Sequence, residues 1–155
     1  MIVRGREHGL TCVELVVALV LAVAATAWML PVTARAWRYA DLEVTANRLL
    51  VHLRTMQQLA QTHGVYGLVR MSGFTPDYAL YLGNGTQCLG QYAFLPGVNY
   101  FDGYLQLNTP NIQYDVAGNS QVGGVIRLVD GPDEADIHLY LGSGLQTLTM
   151  GGAGS

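Results

Sequence analysis

The sequence predicts an α+β protein in which a long N-terminal helix, transmembrane and then amphipathic, is packed on a small antiparallel β head. Three observations predict it. Residues 10–30 form an apolar run with a single charge, Glu14. The spacing stays helical from residue 31 to 63. After Gly64 the period becomes strand-like, in short runs separated by turn residues. The 155 residues accommodate one small domain plus an anchor.

Residues 1–9 form a polar leader with Arg4 and Arg6 against Glu7. The next 21 residues are long enough, as a helix, to cross roughly 30 Å of hydrocarbon. The basic leader places the N-terminus in the cytoplasm and residues 31–155 outside. Trp28 and Trp37 fall near the outer boundary of the membrane, where indole rings anchor. A carboxylate within such a segment costs roughly 2.5–3.5 kcal/mol on insertion scales, so Glu14 is a functional candidate.

Pro31 removes one helical hydrogen bond and is expected to kink the helix without ending it, because good helix formers follow. Leu42, Ala46, Leu49, Leu53, Met56 and Ala60 recur at steps of four and three, an apolar stripe along one face of residues 31–63. Arg35, Arg38, Asp41, Glu43, Arg48 and Arg54 fall mostly off it. Gly64 is the expected C-terminal cap. A continuous helix from about residue 11 to 63 would be roughly 80 Å long.

In the head, residues 64–150, strands are expected at 65–71, 78–82, 104–107, 112–116, 125–129, 137–141 and 146–150. Asn84-Gly85, residues 117–120, Asp130-Gly131-Pro132 and Gly142-Ser143-Gly144 supply the turns. Residues 83–103 are glycine-rich, read as a long loop with one strand near Tyr92–Phe94, and residues 151–155 read as a disordered tail.

Charge and composition exclude several function classes. All eight basic residues are arginine, and residues 64–155 carry only Arg70 and Arg127 against seven acids, a net of −5. Such a head is not expected to contact nucleic acid directly, which requires a basic face. Cys12 and Cys88 do not suggest an intrachain bridge. The acidic stretch 130–136 has no calcium-loop spacing and reads as an acidic turn between strands. His52, His63 and His138 are scattered, and no nucleophile–base pair or phosphate loop is evident. Neither an enzyme nor a cofactor or metal site is expected.

Three readings fit residues 1–30. A secretory signal peptide cut near Ala34-Arg35-Ala36 conflicts with the length of the apolar run, with Glu14, and with the helical period continuing past that point. A plain signal anchor leaves Glu14 without a role. The third rests on Gly9 followed by Leu10-Thr11-Cys12-Val13-Glu14-Leu15-Val16, which resembles the processing site of type IV pilins and pseudopilins. The resemblance implies cleavage between Gly9 and Leu10 by a prepilin peptidase, N-methylation of Leu10, filament assembly directed by Glu14 as fifth mature residue, and a helix-bending Pro31. Leu10 stands where the family usually has Phe, and Cys12 where an aliphatic residue is commoner. In that family the Glu14 carboxylate would meet the Leu10 amine of a neighbouring subunit and set axial register.

The run from Asn47 to Gly64, the segments 112–120 and 123–128, and the closing 137–148 are similar to the helix-to-strand transition and hairpins of GspH/FimT-type minor pseudopilins; residues 72–110 match poorly. The implied function is a minor pseudopilin of a short pseudopilus in a type II secretion-like system for protein export. The alternative is a minor pilin of a type IV or competence pilus engaged in DNA uptake. Implied partners are the prepilin peptidase, other pseudopilins or pilins and the inner-membrane assembly platform. The implied location is single-pass in the inner membrane, with the head periplasmic or otherwise extracytoplasmic, and later in the pseudopilus.

Overall fold

A computed structural model describes residues 12–152 apart from 84, 102 and 108, and at positions 27–32 and 152 only the backbone. Among the described residues the order is one helix followed by eight strands: α1 (Cys12–His63), β1 (Gly67–Met71), β2 (Asp77–Leu82), β3 (Gln87–Ala93), β4 (Asn99–Phe101), β5 (Asn111–Tyr114), β6 (Gly124–Asp130), β7 (Asp133–Leu139) and β8 (Gln146–Gly152). The chain divides into two compact units at Trp37/Arg38, within α1.

In the first unit α1 runs without interruption through position 31. The expected bend there rests on the Pro31 ring, which lies outside the described side chains. Among the described residues, no helix is long and apolar enough to cross a membrane. The 10–30 window on which that expectation rests is described with side chains only from 12 to 26.

In the second unit, residues 38–63 of α1 pack against two antiparallel sheets of four strands, ordered β3-β2-β1-β5 and β4-β6-β7-β8. All six residues of the predicted stripe, Leu42, Ala46, Leu49, Leu53, Met56 and Ala60, are fully buried. They meet Val69, Met71, Tyr78, Ile112 and Tyr114 of the first sheet and Ile126, Leu128, Ala135 and Ile137 of the second in one core. Gly64 ends the helix in the left-handed region (φ 63°), and the Val65 amide donates to the Ala60 carbonyl at 3.2 Å, a Schellman closure. Gly67 then passes so close to α1 that a Cβ there would lie 2.9 Å from the Met56 carbonyl oxygen.

Several predicted strands shift. Residues 83–103 hold β3 and β4 where a loop with one strand was expected. Residues 104–107 form no strand: Leu105 makes a single bridge to Gly124. The segment expected at 137–141 begins earlier, at Asp133, because Gly131-Pro132 closes a tight hairpin with Asp130 opposite Asp133. Gly151 and Gly152 are not tail but the end of β8, paired with Glu134 and Asp133; residues 153–155 lie outside the described ones.

Candidate assembly surface

In the first unit the helix opens at Cys12, with Glu14 in its first turn. Gly9 and Leu10, the residues of the expected cleavage, lie outside the described residues. From Val13 to Val23 the aliphatic side chains at 13, 15, 16, 17, 19, 20, 21 and 23 are all 51–71% exposed. They point in every direction around the helix, so there is no polar face to turn toward water. A soluble monomer rarely exposes so large a contiguous apolar surface, which makes this segment a candidate contact surface. Cys12 is exposed within this run. Trp37, at the end of the unit, is 72% exposed.

In the second unit, the side of α1 turned away from the core also carries apolar residues. Val44 and Val51 are 56% and 57% exposed. They stand seven residues apart and therefore share a face. The sequence reading missed them because it followed the stronger inward stripe; the seven-residue spacing is the signal that would have found them.

Several polar side chains of the head tie its elements together. Arg48 reaches the Ala93 carbonyl, fixing the end of β3 to α1. One turn on, His52 Nδ1 lies 2.7 Å from the Tyr78 hydroxyl, and its ring is 4.3 Å from that of Tyr92. Burial and the Arg48 charge hold the His52 pKa below its ordinary value. Burial pushes the Tyr78 phenol up to about 12, against a smaller opposing pull from Arg48. At neutral pH both are uncharged, and the phenol can donate to the imidazole. Near the other end of the spine, Gln57 and Gln61 donate to the Gly118 and Ala117 carbonyls at 2.8 and 2.9 Å. On the second sheet Arg127 forms a bidentate pair with Asp136 (2.8 and 2.6 Å), and its guanidinium lies 4.5 Å from the centre of the Tyr104 ring. Hydrogen bonding to Asp136 raises the Arg127 pKa further. In the turn after β5, hydrogen bonds from Asn119 hold the exposed Asp115 carboxyl below its ordinary value.

The acidic stretch 130–136 turns between two strands, β6 and β7, and two of its acids are buried. Asp130 and Asp133 occupy the core-facing row of the β6–β7 hairpin, continuing the alternation Ile126, Leu128 and Ile137, Ala135, and are only 5% and 2% exposed. Among the described residues no group of three or more histidines, cysteines or acids could hold a metal ion. His63 is exposed at the end of α1, and His138 stands on β7 opposite Val125 and Thr147. The three histidines are thus in separate places. Cys88 is exposed on β3.

Comparison of the chain with protein-family models, with curated proteins and with solved structures finds no match.

Proposed function

We propose that this chain is a minor pseudopilin, cleaved and methylated like a prepilin and built into a short pseudopilus of a type II secretion-like protein-export system. The observation that carries the reading is the register of Gly9, Leu10 and Glu14 at the head of an apolar helix. The exposure of every large aliphatic side chain from Val13 to Val23 supports it, because a filament core of parallel helices would bury that surface. So does the continuity of α1, which carries an apolar first segment and, from Leu42, the spine of an α+β head. In this role the apolar segment supplies the bulk of the packing. Glu14, facing a neighbour's Leu10 amine, sets axial register, since a misplaced buried carboxylate is costly. Val44 and Val51 extend the contact surface along the spine.

Intact-mass measurement of the membrane-extracted protein tests this reading, in cells with and without a prepilin peptidase. The expected result is loss of residues 1–9 and gain of one methyl group on Leu10, both dependent on the enzyme. A Glu14→Ala chain should be cleaved normally yet be missing from sheared filaments. A chain left intact in both strains would reduce the N-terminus to a plain anchor. A cut after Ala36 would make the head a secreted domain.

A further inference from the structure

The outward face of the first sheet carries four residues directly opposite one another across β3, β2, β1 and β5: Gln91, Ala79, Arg70 and Asn111. Cβ atoms of such neighbours stand about 4.5–5.5 Å apart. Ala79 is the small member, so the surface sinks over it. Asp77 and Tyr81 lie two residues to either side of Ala79 on β2 and share its face. The β1–β2 loop walls the depression, with Phe74 fully exposed at its rim. The depression is open to solvent and offers about 360 Å³, enough for one or two side chains.

Both charges in this depression are held in place. Arg70 Nε donates to Asn111 Oδ1 at 3.2 Å, and the guanidinium lies 5.3 Å from the centre of the Tyr81 ring. The terminal nitrogens of Arg70 have no hydrogen-bond partner among the described residues. Asp77 accepts from Thr75 Oγ1 at 2.8 Å and from Gln91 Nε2 at 2.7 Å. The two arginines of the head therefore differ in state. Arg127 is neutralised by Asp136 at 2.6 Å and Glu134 at 3.4 Å, whereas Arg70 is oriented by neutral groups.

We propose that this depression binds a carboxylate-bearing peptide segment of a partner protein. An Asp or Glu side chain of that segment meets the terminal nitrogens of Arg70 in the paired geometry a guanidinium favours. An apolar or aromatic neighbour in the segment covers Phe74 and Tyr81, and a backbone N–H turns toward Asp77. Charge separates this occupant from nucleic acid. A phosphate chain needs several cations along its path, while the head is net −5 and Asp77 stands two residues from Ala79 in the same depression. One carboxylate needs only one guanidinium. The site lies within the head and does not depend on which filament, if any, the chain serves.

The test uses the full chain in detergent and a fluorescein-labelled capped peptide, Gly-Asp-Phe-Asp-Gly, read by anisotropy. Its counterpart with Asn for both Asp and a labelled oligothymidylate are the comparisons. The acidic peptide is expected to bind roughly tenfold more tightly than the amide form, the scale of one charge-assisted contact. Arg70→Gln should abolish that preference. Ala79→Met, which fills the depression without changing charge, should remove binding, and Phe74→Ser, at a fully exposed position, should weaken it with the thermal midpoint unchanged. Equal binding of the two peptides, no binding of either, or preference for the oligonucleotide would overturn the proposal. Acid-selective binding that survives both Ala79→Met and Phe74→Ser would overturn it as well.

Discussion

His52 is the side chain from which a pH dependence of the head's stability is expected. It faces Tyr78 and Tyr92, with the Arg48 charge one turn earlier on α1. Burial first, and then Arg48, disfavour the imidazolium, so the folded pKa lies below 6.5. Between the folded value and 6.5 the unfolded chain binds more protons than the folded one, and stability rises with pH. The contribution of His52 is therefore complete above about 6.5 and is lost as pH falls through the folded value. The thermal midpoint of the wild-type chain should fall between about pH 7.5 and about pH 5.5, and His52→Gln should flatten that slope. A slope unchanged in the variant would assign it to other groups. The Tyr78 phenol, with a pKa of about 12, stays neutral across this window and adds nothing to the slope.

At the scale of elements, α1 holds the head through its last two turns as well as through its apolar stripe. Gln57 and Gln61 reach into the β5–β6 and β7–β8 connections, where Gly118 and Gly144 take positive φ values of 79° and 64°. A Cβ on Gly144 would stand 2.4 Å from Gln57 Nε2 and 2.7 Å from the Gly118 carbonyl oxygen. Gly142, in the same turn, also has a positive φ of 82° but has nothing within 4 Å of its Cβ position. Gly142→Ala should therefore cost only the left-handed backbone penalty, about 1–2 kcal/mol. Gly144→Ala should cost clearly more in chemical denaturation, because a backbone oxygen has to move. Equal losses would mean that the connection shifts freely and that the glutamine contacts do not fix it. The stripe from Leu42 to Ala60 was legible in the sequence because it is buried along one face and its period is unbroken. β6 was legible as an apolar run for the same reason. β3 was not: it is exposed along most of its length and owes its place to pairing with β2, so Gln87–Ala93 carries no alternation to read. The segment 104–107 misled in the opposite sense. Its residues favour strands, but only Leu105 is buried, and it is held by one bridge to Gly124. Asp130 and Asp133 were missed because an acidic hairpin suggests solvent, whereas the two-residue turn at Gly131-Pro132 keeps both in the core-facing row. The depression over Ala79 needs the register of four strands, which no single segment reveals.

For the whole molecule, the placement of apolar residues separates two tasks along one helix. Among the described residues, every member of the buried core lies at Leu42 or beyond, and the aliphatic residues from Val13 to Val23 are all exposed. The first group stabilises a fold by leaving water within the chain; the second can leave water only by meeting lipid or another chain. Removing residues 1–37 should therefore leave the head's stability nearly intact while abolishing association. Residues 38–155 alone should unfold cooperatively in water, at a midpoint within a few degrees of that of the full chain in detergent, because no core residue has been deleted. The same fragment should sediment as a monomer and stay out of the membrane fraction, whereas the full chain partitions into membranes or self-associates. A fragment that is unfolded would mean that the head draws stability from the first 37 residues, against the division at Trp37/Arg38. A folded fragment that still associated would move the assembly surface from the apolar helix to the head. Val44 and Val51 would then be the first positions to change, because they are the large aliphatic residues most exposed on its spine.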